Sequence, residues 1–517
     1  MYSRSYKALA FAGELLLAAL WSVRAPAFAD PALQIFDVTL SAKVATEPLN
    51  GRLFVFVQPV DGRSQSSDHL TEPRLGPNWF AAEPFFGLDV RDFAPGQSRL
   101  IDDHADGFPD KLSHLPMGRY RVQAVFDINP DAQQPGRGAG NLYSAVMVIE
   151  LDSAKPSSVP LLLDHMVEAE PWPESRWVKL ISFRSQWLSA FHHREVLEQC
   201  AVVLPPSYYD QPQRRYPTIY MIPGFGSTHH DALQYASQPP LPEDGEEEFI
   251  RVFLTGECKW GHHVFVDSAT NGPRGQALIW ELIPEIDRSF RTIANRNGRF
   301  LYGHSSGGWS ALWLMINYPD VFGGVWSTSP DPVDFRDWQG VNLYADPPEN
   351  MYIDQKGNRR PIARTGDQPV LWYDSFTHMD DALKRGGQLR SFEAVFSPLG
   401  SNGEPRKLWE RASGQIDPDV ARAWQSYDIR MQIESHWKKL QPLLAGRVHV
   451  TVGDHDTYYL DGAVHKLAEA LAQLGSDAEV KFVAGRGHSD LLTPEFYHAV
   501  RQQMSELFRR EAATSER

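Results

Sequence analysis

Residues 299–315, RFLYGHSSGGWSALWLM, leave the backbone little choice. Phe300, Leu301 and Tyr302 form a short strand-like run. Trp309, Ala311, Leu312, Trp313, Met315 and Ile316 are apolar at the mixed spacings of a largely buried helix. Between them stands Gly303-His304-Ser305-Ser306-Gly307, a G-x-S-x-G pattern. A serine at the apex of so sharp a strand-to-helix turn sits in strained backbone, so the residues two before and two after it must lack bulk. Such a turn exposes the Ser305 hydroxyl at a helix N-terminus, where the field favours negative charge. A glycine-rich turn that merely packs helix on strand would use the same letters, so the rest of the chain has to decide.

From residue 178 onward, strand-like and helix-like segments alternate. EQCAVVLPP, YPTIYMIPGFG and EFIRVFLTGE read as strands, GQALIWELIPEIDRSF as a helix, and RFLYG and GWSALWLMINY as the next strand and helix. GGVWSTSP, RVHVTVGD and AEVKFVAG are further strands, the last two separated by the helix GAVHKLAEALAQLG, and a final helix lies near TPEFYHAVRQQMSELFRR. Such alternation implies a mainly parallel sheet covered on both faces, in the order an α/β-hydrolase sheet requires. Residues 30–165 differ. LQIFDVTLSA, RLFVFVQPV, GRYRVQAVFDI and LYSAVMVIEL alternate apolar with polar residues and no long helical pattern intervenes, which predicts a separate β-rich, sandwich-like domain. Residues 166–177 read as a linker. Residues 331–440 break the alternation and are rich in Trp and Tyr. Insertions of this length are usually functional, so a cap over the sheet is expected, with an aromatic outrigger on the sheet edge as the alternative.

A serine hydroxyl needs a base, and the base needs an orienting acid. RVHVTVGDHDTYYLDG supplies the acid: Asp456 stands just past a strand, with Asp454 as the alternative. VKFVAGRGHSDLL supplies His488 after the last strand. Ser305, Asp456 and His488 thus each follow a strand, in the chain order nucleophile, acid, histidine. An oxyanion site needs two convergent backbone N–H groups. Ser306 provides one. Pro223-Gly224-Phe225-Gly226 provides the other through Phe225, since Pro223 has no N–H. Substrate contacts are expected from His229 and Trp309 and, in the insertion, from Trp372, Tyr373 and Trp409. The paired histidines His192/His193, His229/His230 and His262/His263 point to opposite faces if extended, so no metal site is expected from them, and the chemistry requires no cofactor.

The segments VLPPSYYDQPQRRYPTIYMIPGFG, ELIPEIDRSFRTIANRNGRFLYGHSSGGWSALWLMINYPDVFGGVWSTSP and GRGHSDLL resemble the putative esterase family, which includes enterochelin esterase-like and feruloyl-esterase-like α/β-hydrolases. The resemblance covers roughly residues 195–330 and 445–510. It implies an α/β-hydrolase fold, a Ser305–His488–Asp456 triad, and oxyanion donors at Phe225 and Ser306. Family members usually carry His-Gly where this chain has Pro223-Gly224. In the implied fold the second strand is antiparallel and lies beside the fourth. Cys200 starts the former and Cys258 follows the latter, which predicts a Cys200–Cys258 disulfide.

The activity expected is that of a serine carboxylic ester hydrolase acting through an acyl-enzyme on a small-molecule or sugar-linked ester. The alternatives are an acyltransferase of the same fold, or a polysaccharide- or envelope-binding protein with a vestigial hydrolase domain. The formal charge of −15 disfavours nucleic acid as a partner, and no apolar stretch beyond the N-terminus is long enough to span a membrane. Residues 1–29 read as a signal peptide, with Arg4 and Lys7 ahead of an apolar stretch and Ala27-Phe28-Ala29 as the cleavage pattern. Export to the periplasm or medium is therefore expected. The sequence leaves open which ester is the substrate and what the oligomeric state is.

Overall fold

The computed structural model describes residues 34–60, 72–151 and 157–515. The predicted signal peptide lies outside them. In the catalytic half, eight strands form one sheet: β1 (Val178–Arg184), β2 (Leu197–Val203), β3 (Thr218–Ile222), β4 (Ile250–Leu254), β5 (Arg299–His304), β6 (Gly324–Thr328), β7 (Val448–Gly453) and β8 (Glu479–Val483). Their spatial order is β1-β2-β4-β3-β5-β6-β7-β8. β2 runs antiparallel to both neighbours and the other pairs are parallel, the arrangement expected of an α/β-hydrolase sheet.

Both faces are covered, so the central strands β3, β5 and β6 are apolar on both sides, while the edge strands β1 and β8 are not. Leu301 of β5 and Val325 of β6 join the large core beneath helix α1 (Ser306–Asn317). Their neighbours Phe300, Tyr302 and Trp326 pack against Val500, Met504 and Leu507 of the C-terminal helix Pro494–Ser515. Ten of the twelve residues of α1 are buried, which is why its apolar residues follow no single stripe.

The N-terminal strands are hydrogen-bonded into one continuous nine-stranded sheet. One face, including Val38, Leu53, Val55, Phe126 and Leu161, closes on a core of its own. Phe54, Phe56 and Phe85 point the other way, into the catalytic half's core. Alternation along the strand Leu49–Pro59 thus feeds two cores at once. The segment read as a linker is docked: Trp172 stacks on His229 at 5.6 Å, and Ser175 Oγ donates to the Ala236 carbonyl at 2.6 Å.

The insertion is ordered by a hairpin (Pro361–Thr365 with Gln368–Trp372) and by helices α2 (Tyr373–Leu383), α3 (Gln388–Phe396) and α4 (Ile429–Leu444). Its aromatic residues mostly build a core. Phe335, Trp338 and Trp424 meet with ring centroids 5.0–5.9 Å apart. Phe396 ties this cluster to Trp309 of α1 at 5.2 Å.

The predicted disulfide is absent: Cys200 and Cys258 are both buried free thiols. Cys200 is opposite Leu254 in the β2–β4 ladder. Cys258 lies four residues beyond Leu254, in a separate short hairpin with Gly261–His262, and packs with Trp260 and Ala394. The chain turns away after β4 and carries the second thiol into a different cluster. Burial raises both thiol pKa values, Cys258 to about 11, so neither is poised as a thiolate.

Candidate active site

Ser305 joins β5 to α1 with φ 60° and ψ −128°, outside both helical and extended backbone. Its carbonyl accepts from Trp309 N at 3.1 Å and Asp331 N at 3.3 Å, and its own N–H donates to the Thr328 carbonyl at 2.9 Å. The turn is too tight for a side chain at Gly307, where a Cβ would lie 2.2 Å from the Ile222 carbonyl oxygen.

Two loops from later strands meet beside it. A Cβ at Gly453, where β7 ends, would lie 2.1 Å from the Arg486 carbonyl oxygen, so only glycine lets the loops after β7 and β8 approach this closely. His455 N donates to that same carbonyl at 3.0 Å. The approach brings His488 Nδ1 to 2.8 Å from Asp456 Oδ2. Asp456 is fully buried, and its other oxygen accepts from Tyr458 N at 2.8 Å. With Nδ1 donating to Asp456, Nε2 is left as the acceptor. Tyr458 meets the His488 ring edge-on at 4.8 Å, and His304 packs on it at 4.5 Å. Burial, helped by His488, pushes His304 down to about 3, so it stays neutral beside the catalytic histidine candidate. Asp454 is elsewhere: its Oδ1 takes His455 Nδ1 at 2.8 Å and Gly485 N at 2.7 Å, at the surface.

Ser305 and His488 open into a cleft of about 700 Å³. The loop 223–227 forms one wall, and Gly224 lies directly against Ser305. Neither the Phe225 nor the Ser306 backbone N–H meets an acceptor among the described residues. Ser306 N belongs to the first turn of α1, whose N–H groups have no intrahelical partner.

The expected substrate-facing aromatics do not line this cleft. Tyr373 and Trp409 are buried within the insertion, where Trp409 Nε1 donates to Tyr352 Oη at 3.0 Å and the Tyr373 hydroxyl donates to Gln339 Oε1. Trp372 packs under the Arg359 guanidinium, 4.9 Å away. Trp309 stacks on Trp313, and His229 is buried beneath Trp172. The insertion does reach the cleft, through Gln339, Ile362, Leu371, Phe376, Gln388, Leu389 and Phe392. Position along α3 explains the exchange: Gln388, Leu389 and Phe392 of its N-terminal part border the cleft, while Phe392 also stacks on Phe396 at 6.0 Å, and Val395 and Phe396 further along lie in the core.

Two contributors were not singled out from the sequence. Asp331, three residues past the end of β6, is 5% exposed, lines the cleft, and is pushed up to about 6 by burial. Its position shortly after a strand end was the available signal. Loops of the N-terminal domain supply Trp79, Phe80, Gln133 and Gln134. Nothing local distinguishes those four from ordinary loop residues.

Residues 198–490 match the family described as Putative esterase. The chain belongs to this family. The family match spans β2 through the His488 loop and so takes in every strand end that meets at Ser305. A curated relative, Esterase MT1326 of Mycobacterium tuberculosis (strain CDC 1551 / Oshkosh), is 27% identical over 255 residues. That alignment covers 43% of this chain and 53% of the relative, so the chain spans about half the length of the curated protein it matches. Among solved structures, a ferulic acid esterase is 15% identical with a TM-score of 0.38, over 64% of this chain and 98% of that one. An S-formylglutathione hydrolase from Agrobacterium tumefaciens is 16% identical with a TM-score of 0.37, over 64% and 95%.

Proposed function

We propose that this family member hydrolyses carboxylic esters with Ser305 as nucleophile, His488 as base and Asp456 as the orienting acid. The observation that carries the reading is the 2.8 Å contact between His488 Nδ1 and Asp456 Oδ2 in the cleft that also holds the strained Ser305 turn. Ser305 Oγ attacks the ester carbonyl as Nε2 of His488 takes its proton. The tetrahedral oxyanion rests on the Phe225 and Ser306 N–H groups. His488 then protonates the leaving alcohol, and water, activated by the same nitrogen, releases the acid.

The cleft lining includes Asp231 and Asp331 but no Lys or Arg among the described residues. Aromatic and aliphatic side chains fill much of the rest. Neutral esters therefore suit it and anionic ones do not, because a buried carboxylate on the substrate would meet no compensating charge. Export follows from the Ala27-Phe28-Ala29 pattern and is checked by whether the mature periplasmic or secreted chain begins at Asp30.

The decisive experiment is Ser305→Ala with a fluorophosphonate probe. The wild type should label and turn over 4-nitrophenyl acetate, and the variant should do neither while melting at the wild-type temperature. Labelling that persists in the variant would overturn the assignment.

A further inference from the structure

The catalytic cleft does not end within the catalytic half. A second cleft of about 240 Å³ lies on the N-terminal sheet, and Trp79 and Gln134 line both. Trp79 stands at the junction. It meets Phe225 of the oxyanion loop edge-on at 5.8 Å and Phe376 of α2 at 5.5 Å. It is thus held between the wall nearest the nucleophile and the insertion, with its indole only half-buried.

Gln58 lies in the wall of the second cleft. It belongs to the strand Leu49–Pro59 and is 5% exposed, and its Oε1 has no hydrogen-bond partner among the described residues. Leaving such a group unpaired is costly. Around it are Asn78, Glu83, Gln134 and Arg137. Planar amides, a carboxylate and a guanidinium offer donors and acceptors together, beside an indole.

The two clefts are fixed relative to each other. Arg385 pairs with Asp127 at 3.2 Å across the domain boundary, Gln133 Nε2 donates to the Gly386 carbonyl at 3.2 Å, and Phe54 and Phe56 enter the catalytic half's core.

We propose that the N-terminal cleft is a remote subsite for the hydroxylated portion of the ester, a neutral saccharide. One sugar ring stacks at Trp79, and the next hydrogen-bonds the side-chain amides of Asn78 and Gln134 that line the cleft. A saccharide matches this lining because its hydroxyls both donate and accept, while its C–H faces suit an indole. The inference rests on the ester-hydrolase reading and adds the substrate class and the binding role of the first domain.

The test uses the full-length protein, with 4-nitrophenyl acetate as the small ester and mono-O-acetylated gluco-, xylo- and arabino-oligosaccharides of two to four rings as the extended ones. At least one extended ester should show a KM well below that of its mono-acetylated monosaccharide. Trp79→Ala, and separately Gln134→Ala, should cut the kcat/KM ratio of extended to small ester by at least about tenfold, mainly through KM. Trp79→Phe should recover part of that ratio, and melting temperatures identify any variant that has lost its fold. An unchanged ratio in both alanine variants, or no gain in KM with chain length, overturns the subsite. Turnover of 4-nitrophenyl acetate that survives Ser305→Ala overturns the hydrolase reading instead, so the two failures are distinguishable.

Discussion

The turn at Ser305 and the insertion at residues 331–440 are both dense in unusual residues, yet they obey different rules. At the turn, a residue's role follows from local sterics: Gly303 is glycine because the Gly307 carbonyl oxygen lies 2.0 Å from where a Cβ would stand. In the insertion, tryptophans that look alike in sequence have diverged. Trp338 and Trp424 make a core, Trp372 packs under an arginine, and the cleft is faced instead by Phe376 and Phe392. Local geometry dictates residue type at the first region. At the second, tertiary packing decides which aromatic is wholly structural and which also borders the cleft.

The comparison can be broken in four places, taken from the largest expected effect to the smallest. Asp456→Asn should lower kcat by roughly ten-thousandfold, because the wrong tautomer of His488 is then held. Asp454→Asn should stay near wild type, since that carboxylate bonds His455 and Gly485 at the surface. Equal losses in the two variants would mean that the loop, not a single acid, is what matters.

Next, Trp409→Ala and Trp424→Ala should each cost about 3–5 kcal/mol of stability, as expected for buried aromatics. Phe392→Ala, whose ring packs on Trp338 and also borders the cleft, should lose stability as well but in addition alter the ranking of bulky against small esters. Denaturant melts run beside a two-ester assay separate these outcomes. A selectivity change from Trp409→Ala without destabilisation would restore the tryptophans as cleft residues.

Gly307→Ala should cost about 1–3 kcal/mol, because α1 must shift away from the 223–227 loop. Activity should fall further than stability alone explains, since the same shift moves the Ser305 hydroxyl and the Ser306 N–H together. A variant that is fully active and merely less stable would show that the turn tolerates displacement.

The smallest effect concerns Asp331. Burial raises its carboxyl from the usual value to about 6. The folded protein therefore holds a proton that the unfolded chain has released between about pH 4 and 6, and stability contributed by the neutral acid is lost as pH rises through that window. Asp331→Asn removes the ionisation, so the variant should gain in melting temperature relative to wild type at pH 8 and show less gain, or none, at pH 4. A pH-independent difference would mean that the carboxyl ionises in the fold as freely as in the unfolded chain.

The sequence by itself determined the parts of this protein that depend on short-range necessity. The mainly parallel sheet of the catalytic half was legible because parallel strands must alternate with helices, although its first strand, Val178–Arg184, was not read. The Ser305 turn was legible because only small neighbours fit it. His488 and its two acid candidates stood out because each follows a strand end. Tertiary structure decided everything that depends on which surfaces meet. It placed Asp456 rather than Asp454 beside His488 by bringing two loops together at Gly453, where one carboxylate is buried against that ring and the other lies at the surface. It separated Cys200 from Cys258 by turning the chain after β4. It drew Trp79 and Gln134 from a domain more than a hundred residues upstream into the cleft of Ser305. A residue's local sequence encodes its backbone preference and its face of a strand or helix. Its neighbours across a domain boundary are set by the packing of whole apolar faces, such as Phe54 and Phe56 against the second core, and no short window of sequence contains that information.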